Sequence, residues 1–173
     1  MSPSFLLFVI LFLVGLAIRA AYEHLKKARK AEEGDRPVFF VVVVGMAMLW
    51  IGWFAMCPQD PVRLPVPEAG RWAGLGLVIL GWALALGALG QLRGVESIDH
   101  LVTTGLFARL RHPMYTGFVL WIVGWAAFHG AAVSVVPGLL GIASVQHWRH
   151  LEERTLESAY GDAYRAYRRR TWF

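Results

Sequence analysis

The sequence predicts an all-α membrane protein with about five transmembrane helices. Hydrophobic residues make up 57% of the 173 residues and charged residues only 17%, whereas about a quarter of a soluble domain is charged. The apolar residues fall into runs close to the length that a spanning helix requires, about 20 residues. The basic residues cluster beside these runs, a placement typical of membrane topology. The net charge of +5 therefore argues for a membrane protein rather than a nucleic-acid-binding one.

Five apolar segments are the candidate spans. Only His129 and Gly130 separate the last two, which predicts a C-terminal helical hairpin with a two-residue turn. The charged tail that follows has the pattern of an amphipathic helix on the cytoplasmic surface. We expect this tail helix to begin at Glu152 and Glu153. The predicted spans are residues 5–22, 38–56, 72–92, 114–128 and 131–148.

Glycine and tryptophan indicate how the helices are placed. The third span is rich in glycine, which in a membrane helix favours close contact with another helix. The chain has eight tryptophans, several of them near the ends of apolar runs. We expect these amphipathic rings at the level of the lipid headgroups.

The distribution of basic residues predicts the topology. With five spans, one side holds fifteen of the 17 Lys and Arg, counting Arg19 at the end of the first span, and the other side holds only Arg63 and Arg71. The positive-inside rule then places the N-terminus outside and the C-terminus in the cytoplasm. The first residues lack a positive segment and a cleavage site, so the first apolar run is interpreted as a retained span. No repeat or second domain stands out, and we expect one unit over residues 1–173.

Two polar segments, residues 101–117 and 149–170, flank the hairpin. Because the hairpin returns to the side it left, we expect His112 and Tyr115 to meet Glu152 and Glu153 at the cytoplasmic surface. Pro113 suits the first position of the fourth helix, and the free N–H groups there favour an anion. The carboxylates can accept from an ammonium or a ribose hydroxyl. A ligand with an amine, a carboxylate and a heterocycle would match, and S-adenosylmethionine has those parts.

A purely structural interpretation of the same residues stays open. The Arg-His-Pro run could cap a helix and anchor it to headgroups. Glu152 and Glu153 could form ion pairs with Arg149, Arg154 or Arg109. The tail tyrosines recur at near-helical spacing and could form an interfacial stripe. The residue chemistry alone does not decide between these interpretations.

The two polar segments carry motifs that resemble a known family. The first contains Thr104-Gly-x-Phe followed by Arg111-His-Pro-Met-Tyr-Thr-Gly117, and the second contains Glu152-Glu-x-x-Leu-x-x-x-Tyr-Gly-x-x-Tyr-x-x-Tyr167. Both resemble the isoprenylcysteine carboxyl methyltransferases, whose superfamily includes phospholipid N-methyltransferases and bacterial small-thiol methyltransferases. The resemblance covers roughly residues 90–170. The chain departs from the family after the last tyrosine, where it lacks the Arg-Pro-rich ending, and residues 1–92 carry no diagnostic pattern.

The resemblance implies an S-adenosylmethionine-dependent membrane methyltransferase. A three-helix part, residues 1–92, would precede a cofactor-binding part, residues 93–173. The acceptor would be lipophilic or small: most simply an isoprenylcysteine carboxylate, alternatively a phospholipid amine or a small thiol. We expect membrane lipid as a partner, no nucleic acid and no metal, and a bacterial inner membrane as the location. The implied cofactor-binding residues are Val102, Gly105, Leu106, His112, Pro113, Tyr115, Glu152 and Glu153, and the implied catalytic residues are His112, Arg149 and Arg168.

Two functions from other classes remain as alternatives. A non-catalytic membrane scaffold would retain the motifs only as folding elements, and it would bind no cofactor. A small transporter or channel would place ionisable groups deep in the membrane, since these line ion and proton paths. Few such groups lie at mid-membrane depth in the predicted spans, which argues against transport.

Overall fold

The computed structural model describes residues 1–27, 36–92 and 101–173, and these residues confirm the all-α class. Within those ranges the regular structure is helical, with short 3-10 turns at Cys57–Gln59 and Gly105–Ala108. Three basic residues of the charge count, Arg29, Lys30 and Arg93, lie outside the described residues. The α-helices are α1 (Pro3–Lys27), α2 (Arg36–Met56), α3 (Glu68–Leu92), α4 (Pro113–His129), α5 (Val135–Tyr160) and α6 (Asp162–Arg170).

Three helices are long and apolar enough to cross a bilayer. They correspond to Pro3–Leu25, Pro37–Gln59 and Glu68–Leu92, close to the first three predicted spans. Helix α4 has 17 residues, which at the helical rise gives about 26 Å against a hydrocarbon core of about 30 Å. The membrane character of the first three spans agrees with the prediction. The fourth and fifth spans, and so the total of five, stay a prediction.

The C-terminal hairpin forms, but two of its predicted boundaries are wrong. Residues 130–134 make a longer connection than a two-residue turn, starting at Gly130, which ends α4 in the left-handed conformation. Helix α5 then runs for 26 residues through the predicted start of the tail. Glu152 and Glu153 therefore lie inside α5 rather than at the beginning of a separate helix. The helix breaks at Gly161, where φ is +52°, and the amphipathic tail helix is the short α6.

Helices α3 and α4 pack backbone to backbone through paired glycines. A Cβ added at Gly81 would lie 2.7 Å from the Gly117 carbonyl oxygen, and one added at Gly117 would lie 2.5 Å from that of Gly81. Gly74 and Gly124 repeat the arrangement one heptad away, with corresponding distances of 2.7 and 2.5 Å. Any side chain here would separate the helices, so only glycine allows this approach. The predicted packing role is confirmed for Gly74 and Gly81.

An aromatic cluster joins the α1–α2 pair to the α3–α4 pair. Trp50 packs edge-on against Trp121 with ring centroids 4.9 Å apart, and Trp82 lies 4.5 Å from the same Trp121 ring. Trp53 is fully buried, and its Nε1 donates to the Trp121 carbonyl oxygen at 3.4 Å. These four tryptophans contact one another between helices, and the expectation of rings at headgroup level stays a prediction. Aromatic pairs add about 0.5–1.5 kcal/mol beyond the area they bury.

Charged residues cap the hairpin at the end of the bundle opposite the polar segments. Buried Asp60 accepts from the backbone N–H and hydroxyl of Ser134, both at 2.6 Å, next to the start of α5. Arg63 donates to the His129 carbonyl oxygen at 3.3 Å and Arg71 to that of Phe128 at 3.1 Å, at the end of α4. A carboxylate at a helix N-terminus and guanidinium groups at a C-terminus both oppose the helix dipole. These contacts fix the hairpin that carries the polar segments.

Candidate active site

The chain enters α4 through a tight backbone arrangement centred on His112. Pro113 takes the first helical position, where its missing N–H costs nothing, and His112 precedes it as the N-cap residue. The segment 171–173 runs beside residues 109–112: Trp172 N donates to the Arg109 carbonyl oxygen at 2.8 Å, and His112 N donates to that of Phe173 at 3.2 Å. The backbone of His112 is therefore held from two directions.

The His112 imidazole is buried between two carboxylates of α5. Its side chain is 2% exposed, and Nε2 lies 3.4 Å from Glu153 Oε1 while Nδ1 lies 4.0 Å from Glu152 Oε2. Glu153 is 12% exposed, whereas Glu152 is 46% exposed. The predicted meeting of His112 with Glu152 and Glu153 thus occurs, because α4 and α5 are antiparallel and these residues lie at the same end of the hairpin.

Tyr115 completes the junction one turn into α4. Its ring stacks beside that of His112 with centroids 5.6 Å apart, and its hydroxyl donates to the Glu152 carboxylate. One face of α4 therefore presents two aromatic rings to two carboxylates. Such a surface can contact a planar heterocycle with the rings and a cation or hydroxyl with the carboxylates.

Arg111 connects the cluster of His112, Tyr115, Glu152 and Glu153 to the end of the tail helix α6. Its Nε lies 3.2 Å from Glu153 Oε1, the same oxygen that faces His112. Its Nη1 donates to the carbonyl oxygens of Thr171 at 2.7 Å and Arg168 at 3.0 Å. A guanidinium group suits this position because it presents several donors in a fixed geometry. Arg111 therefore links Glu153 of α5 to the C-terminal end of α6.

Burial sets the protonation state of the cluster. Burial lowers the pKa of His112 to about 4, and the nearby Glu153 offsets this only in part. Burial alone would raise the pKa of Glu153, but the net shift is downward because His112 and Arg111 favour the carboxylate. At neutral pH the site therefore holds a neutral imidazole beside an ionised Glu153.

Five buried side-chain nitrogen and oxygen atoms lack a hydrogen-bond partner among the described residues, and two of them are nitrogens beside this site. One is His112 Nε2, whose geometry toward Glu153 is too poor for a hydrogen bond, and the other is Arg149 Nε. The Arg149 guanidinium lies over the Phe173 ring at 4.4 Å. Buried donors and acceptors without a partner are uncommon in proteins, so these two atoms can form a hydrogen bond with a bound ligand.

The remaining predicted residues lie around the cluster rather than in it. Gly105 has φ of +60° and packs against the Gln91 side chain of α3. The Leu106 N–H donates to Gln91 Oε1 at 3.1 Å. Val102 is half-buried in the preceding loop. Arg168 is exposed, with Nη1 3.7 Å from Glu157 Oε2. The binding and catalytic roles of these residues stay predictions.

Sequence reasoning did not nominate two arginines of this region. Arg111 lies within the Arg-His-Pro motif, and its position directly before His112 was the available signal. Arg19 of α1 reaches the same end of the bundle, where it interacts electrostatically with Tyr115. Nothing in the sequence connects Arg19 to α5, because that contact depends on how α1 packs.

The fold and the site together define a class: a helical membrane protein with a buried His, Glu and Arg cluster where its C-terminal hairpin meets the tail. The chain belongs to the phospholipid methyltransferase family, whose model matches residues 70–163, more than half of the chain. The match includes the glycine-packed α3–α4 pair as well as the cluster on α4 and α5. The resemblance drawn from the motifs is confirmed at the level of this superfamily.

Two curated proteins are similar to the chain. A protein-S-isoprenylcysteine O-methyltransferase of Schizosaccharomyces pombe is 33% identical over 113 residues, which are 57% of this chain and 46% of that protein. A methanethiol S-methyltransferase of a Pseudomonas species is 28% identical over 142 residues, which are 70% of this chain and 52% of that protein. The chain spans about half the length of these relatives. No solved structure matches it.

Proposed function

We propose that the chain transfers a methyl group from S-adenosylmethionine to the carboxylate of a lipophilic acceptor at the cytoplasmic membrane face, as an isoprenylcysteine carboxyl methyltransferase does. The observation that carries this proposal is the buried His112 between Glu152 and Glu153, with Arg111 holding Glu153. Both curated relatives are methyltransferases by name, and one of them acts on an isoprenylcysteine.

The residues of the cluster fit the cofactor. Glu152 and Glu153 suit its ammonium and ribose hydroxyls, and the unpartnered Arg149 Nε suits a carboxylate. The stacked His112 and Tyr115 rings suit a heterocycle, and His112 Nε2 has a hydrogen bond still to make. Pro113 leaves the first turn of α4 open toward an anion. When bound, the cofactor supplies a methyl group made electrophilic by a sulfonium.

The protein contributes mainly alignment and exclusion of water. Holding two reactants in line can supply several kcal/mol of the barrier, about 7–11 in well-oriented cases. The Arg111 contacts fix Glu153, and the segment 171–173 fixes the backbone of His112, so the carboxylates and rings are preorganised. A carboxylate acceptor would take the methyl group directly from the bound cofactor, and no residue of the site would have to move a proton.

The protonation state of the site favours a carboxylate acceptor. A general base works best when its pKa is near the operating pH. The pKa of His112 is about 4, which makes the imidazole a poor base toward an ammonium or a thiol. A carboxylate is already ionised at neutral pH and requires no base. The methyl-ester reaction therefore suits the geometry and charge of this cluster.

A small thiol is the second candidate acceptor. The methanethiol S-methyltransferase matches a larger share of this chain, 70%, than the isoprenylcysteine enzyme does. A thiol would have to lose its proton, and Glu153 is the carboxylate nearest to His112 for that task. A phospholipid amine would need the same deprotonation. These acceptors are alternatives that one assay can separate.

The experiment offers all three acceptors to the purified full chain in lipid nanodiscs with labelled S-adenosylmethionine. We expect label in N-acetyl-S-farnesylcysteine as a base-labile methyl ester, and little in methanethiol or phosphatidylethanolamine. If most of the label appears in the thiol or in the amine, that acceptor replaces the carboxylate in the proposal. Absence of transfer to every acceptor would contradict the methyltransferase proposal. Matched reactions with empty nanodiscs supply the background.

A further inference from the structure

Arg19 is a charged residue near the end of the predicted first span, and ionisable groups within spans are rare and usually functional. It lies in α1, inside the apolar stretch Pro3–Leu25. Its side chain is only 13% exposed, so it does not extend freely toward the lipid headgroups. The family match begins at residue 70, so nothing in that match assigns a role to Arg19.

The surroundings of Arg19 hold its guanidinium against the candidate active site. The group lies over the Trp148 ring of α5 at 5.0 Å and over the Tyr22 ring at 5.3 Å. Glu23, one turn along α1 and 18% exposed, accepts a hydrogen bond from Arg19 Nη1. Weak hydration allows a guanidinium group to stack on aromatic faces in this way.

The same contacts connect Arg19 to the cluster around His112. Trp148 is one helical turn before Glu152, so both lie on one face of α5. Glu152 accepts from the Tyr115 hydroxyl, and both Arg19 and Glu23 interact electrostatically with Tyr115. The guanidinium therefore lies beside the cluster on its α1 side, whereas Arg111 lies on its α6 side.

We propose that Arg19 binds the carboxylate of a lipophilic acceptor and so selects anionic acceptors for the candidate active site. This inference rests on the proposed function and adds the residue that recognises the acceptor. An acceptor arriving from the lipid meets α1 near the end of its apolar stretch, where Arg19 interacts electrostatically with Tyr115. One carboxylate oxygen binds the guanidinium and the other is left to react.

Before the acceptor binds, Glu23 is the hydrogen-bond partner of Arg19. Its carboxylate occupies one donor of Arg19 and neutralises it, which keeps a charge tolerable at this depth. An acceptor carboxylate then competes with Glu23 for the guanidinium. Removing the charge of Glu23 should therefore strengthen acceptor binding, whereas a purely structural Arg19–Glu23 pair would give no such gain.

The test compares binding of two probes that differ only in charge, N-acetyl-S-farnesylcysteine and its carboxamide, to the full chain in nanodiscs. We expect the parent to prefer the carboxylate at least about tenfold, the size of one charge-assisted contact. The ratio of carboxylate affinity to carboxamide affinity should fall to about one in Arg19→Gln. It should decrease partly in Arg19→Lys, which retains the charge but loses the planar guanidinium group. Glu23→Gln should bind the carboxylate several-fold more tightly.

The matched control is Arg154→Gln, which removes one positive charge from an exposed position on α5. It should retain the parent preference.

S-adenosylhomocysteine binding is measured on every variant as a separate readout of folding and of the proposed function. If the parent shows no preference, or if Arg19→Gln retains it while binding S-adenosylhomocysteine normally, the inference is wrong. If preference depends on Arg19 but S-adenosylhomocysteine does not bind, the proposed function fails and the anion site stands. A preference of the site for lysophosphatidate over the farnesylated carboxylate would overturn the assignment to a carboxylate.

Discussion

His112 Nε2 lies 3.4 Å from Glu153 Oε1, and Arg111 Nε approaches the same oxygen at 3.2 Å. One carboxylate of α5 is thereby fixed by two consecutive residues at the start of α4. The arrangement depends on the hairpin, because only an antiparallel α4–α5 pair brings Arg111 and Glu153, 42 positions apart, to one end. It also explains why the Arg-His-Pro and Glu-Glu motifs occur together in one chain.

The first prediction concerns Arg111→Lys. Lysine can replace one contact but not the simultaneous contacts to Glu153, Arg168 and Thr171. We expect affinity for S-adenosylhomocysteine to fall about tenfold or more, since charge-assisted bonds are each worth about 1.5–3 kcal/mol. Arg109→Lys, at an exposed neighbouring position, is the control. Equal loss in both variants would mean that a general effect of replacing arginine by lysine, not the Arg111 contacts, is responsible.

The second prediction concerns the pH dependence of stability. Burial lowers the pKa of His112 from 6.5 to about 4. Between these values the unfolded chain takes up a proton that the folded protein does not, so folding free energy is lost as pH falls through this window. The contribution is at most about 3 kcal/mol. Melting temperatures at pH 7.5 and 4.5 should therefore differ less in His112→Gln than in the parent. Identical pH dependence in both would show that His112 is not buried in its neutral form.

The third prediction separates stability from function. Asp60 receives the Ser134 backbone N–H and hydroxyl at 2.6 Å each, at the end of the bundle opposite His112. Asp60→Asn should lower the free energy of unfolding by about 1–3 kcal/mol, because buried donors lose their charged acceptor. Thermal denaturation in detergent measures this change. Affinity for S-adenosylhomocysteine at a temperature where the variant is folded should match the parent, and a large loss would indicate that the hairpin transmits the change to the site.

The fourth prediction is topological. The fifteen-to-two distribution of basic residues predicts an outside N-terminus and a cytoplasmic C-terminus. Reporter fusions at each terminus and after Pro65, in the connection between α2 and α3, should give opposite signals for the C-terminus and the Pro65 fusion. A C-terminal reporter on the outer side would contradict both the topology and the proposed cytoplasmic site.

The sequence predicted the elements of this fold better than their contacts. Hydrophobic runs and Pro113 locate the helices because they report local properties of the chain, and the two motifs located His112 and Glu153. The end of α5 was missed because charged residues continue a helix as well as apolar ones do, and only Gly161 interrupts it. The aromatic role of Trp121 was also missed, because a ring between helices and a ring at the headgroups have the same sequence pattern.

Arg19 shows the remaining limit of sequence reasoning. By sequence it is one of many basic residues at the end of a span, and the charge count treats it as a topology signal. Its contacts with Trp148 and its approach to Tyr115 depend on the packing of α1 against α5, residues more than 100 positions apart. No local pattern encodes a contact of that separation.

The most direct test of the account is a calorimetric titration of the full chain in nanodiscs with S-adenosylhomocysteine. We expect saturable binding by the parent, and affinity at least about tenfold weaker in His112→Ala and in Glu153→Ala, since each loses a contact to the ligand. Asp60→Asn, with its change at the opposite end of the bundle, should bind as the parent does. Absence of binding by the parent, or parent-like affinity in both site variants, would contradict the assignment of this cluster as the cofactor site.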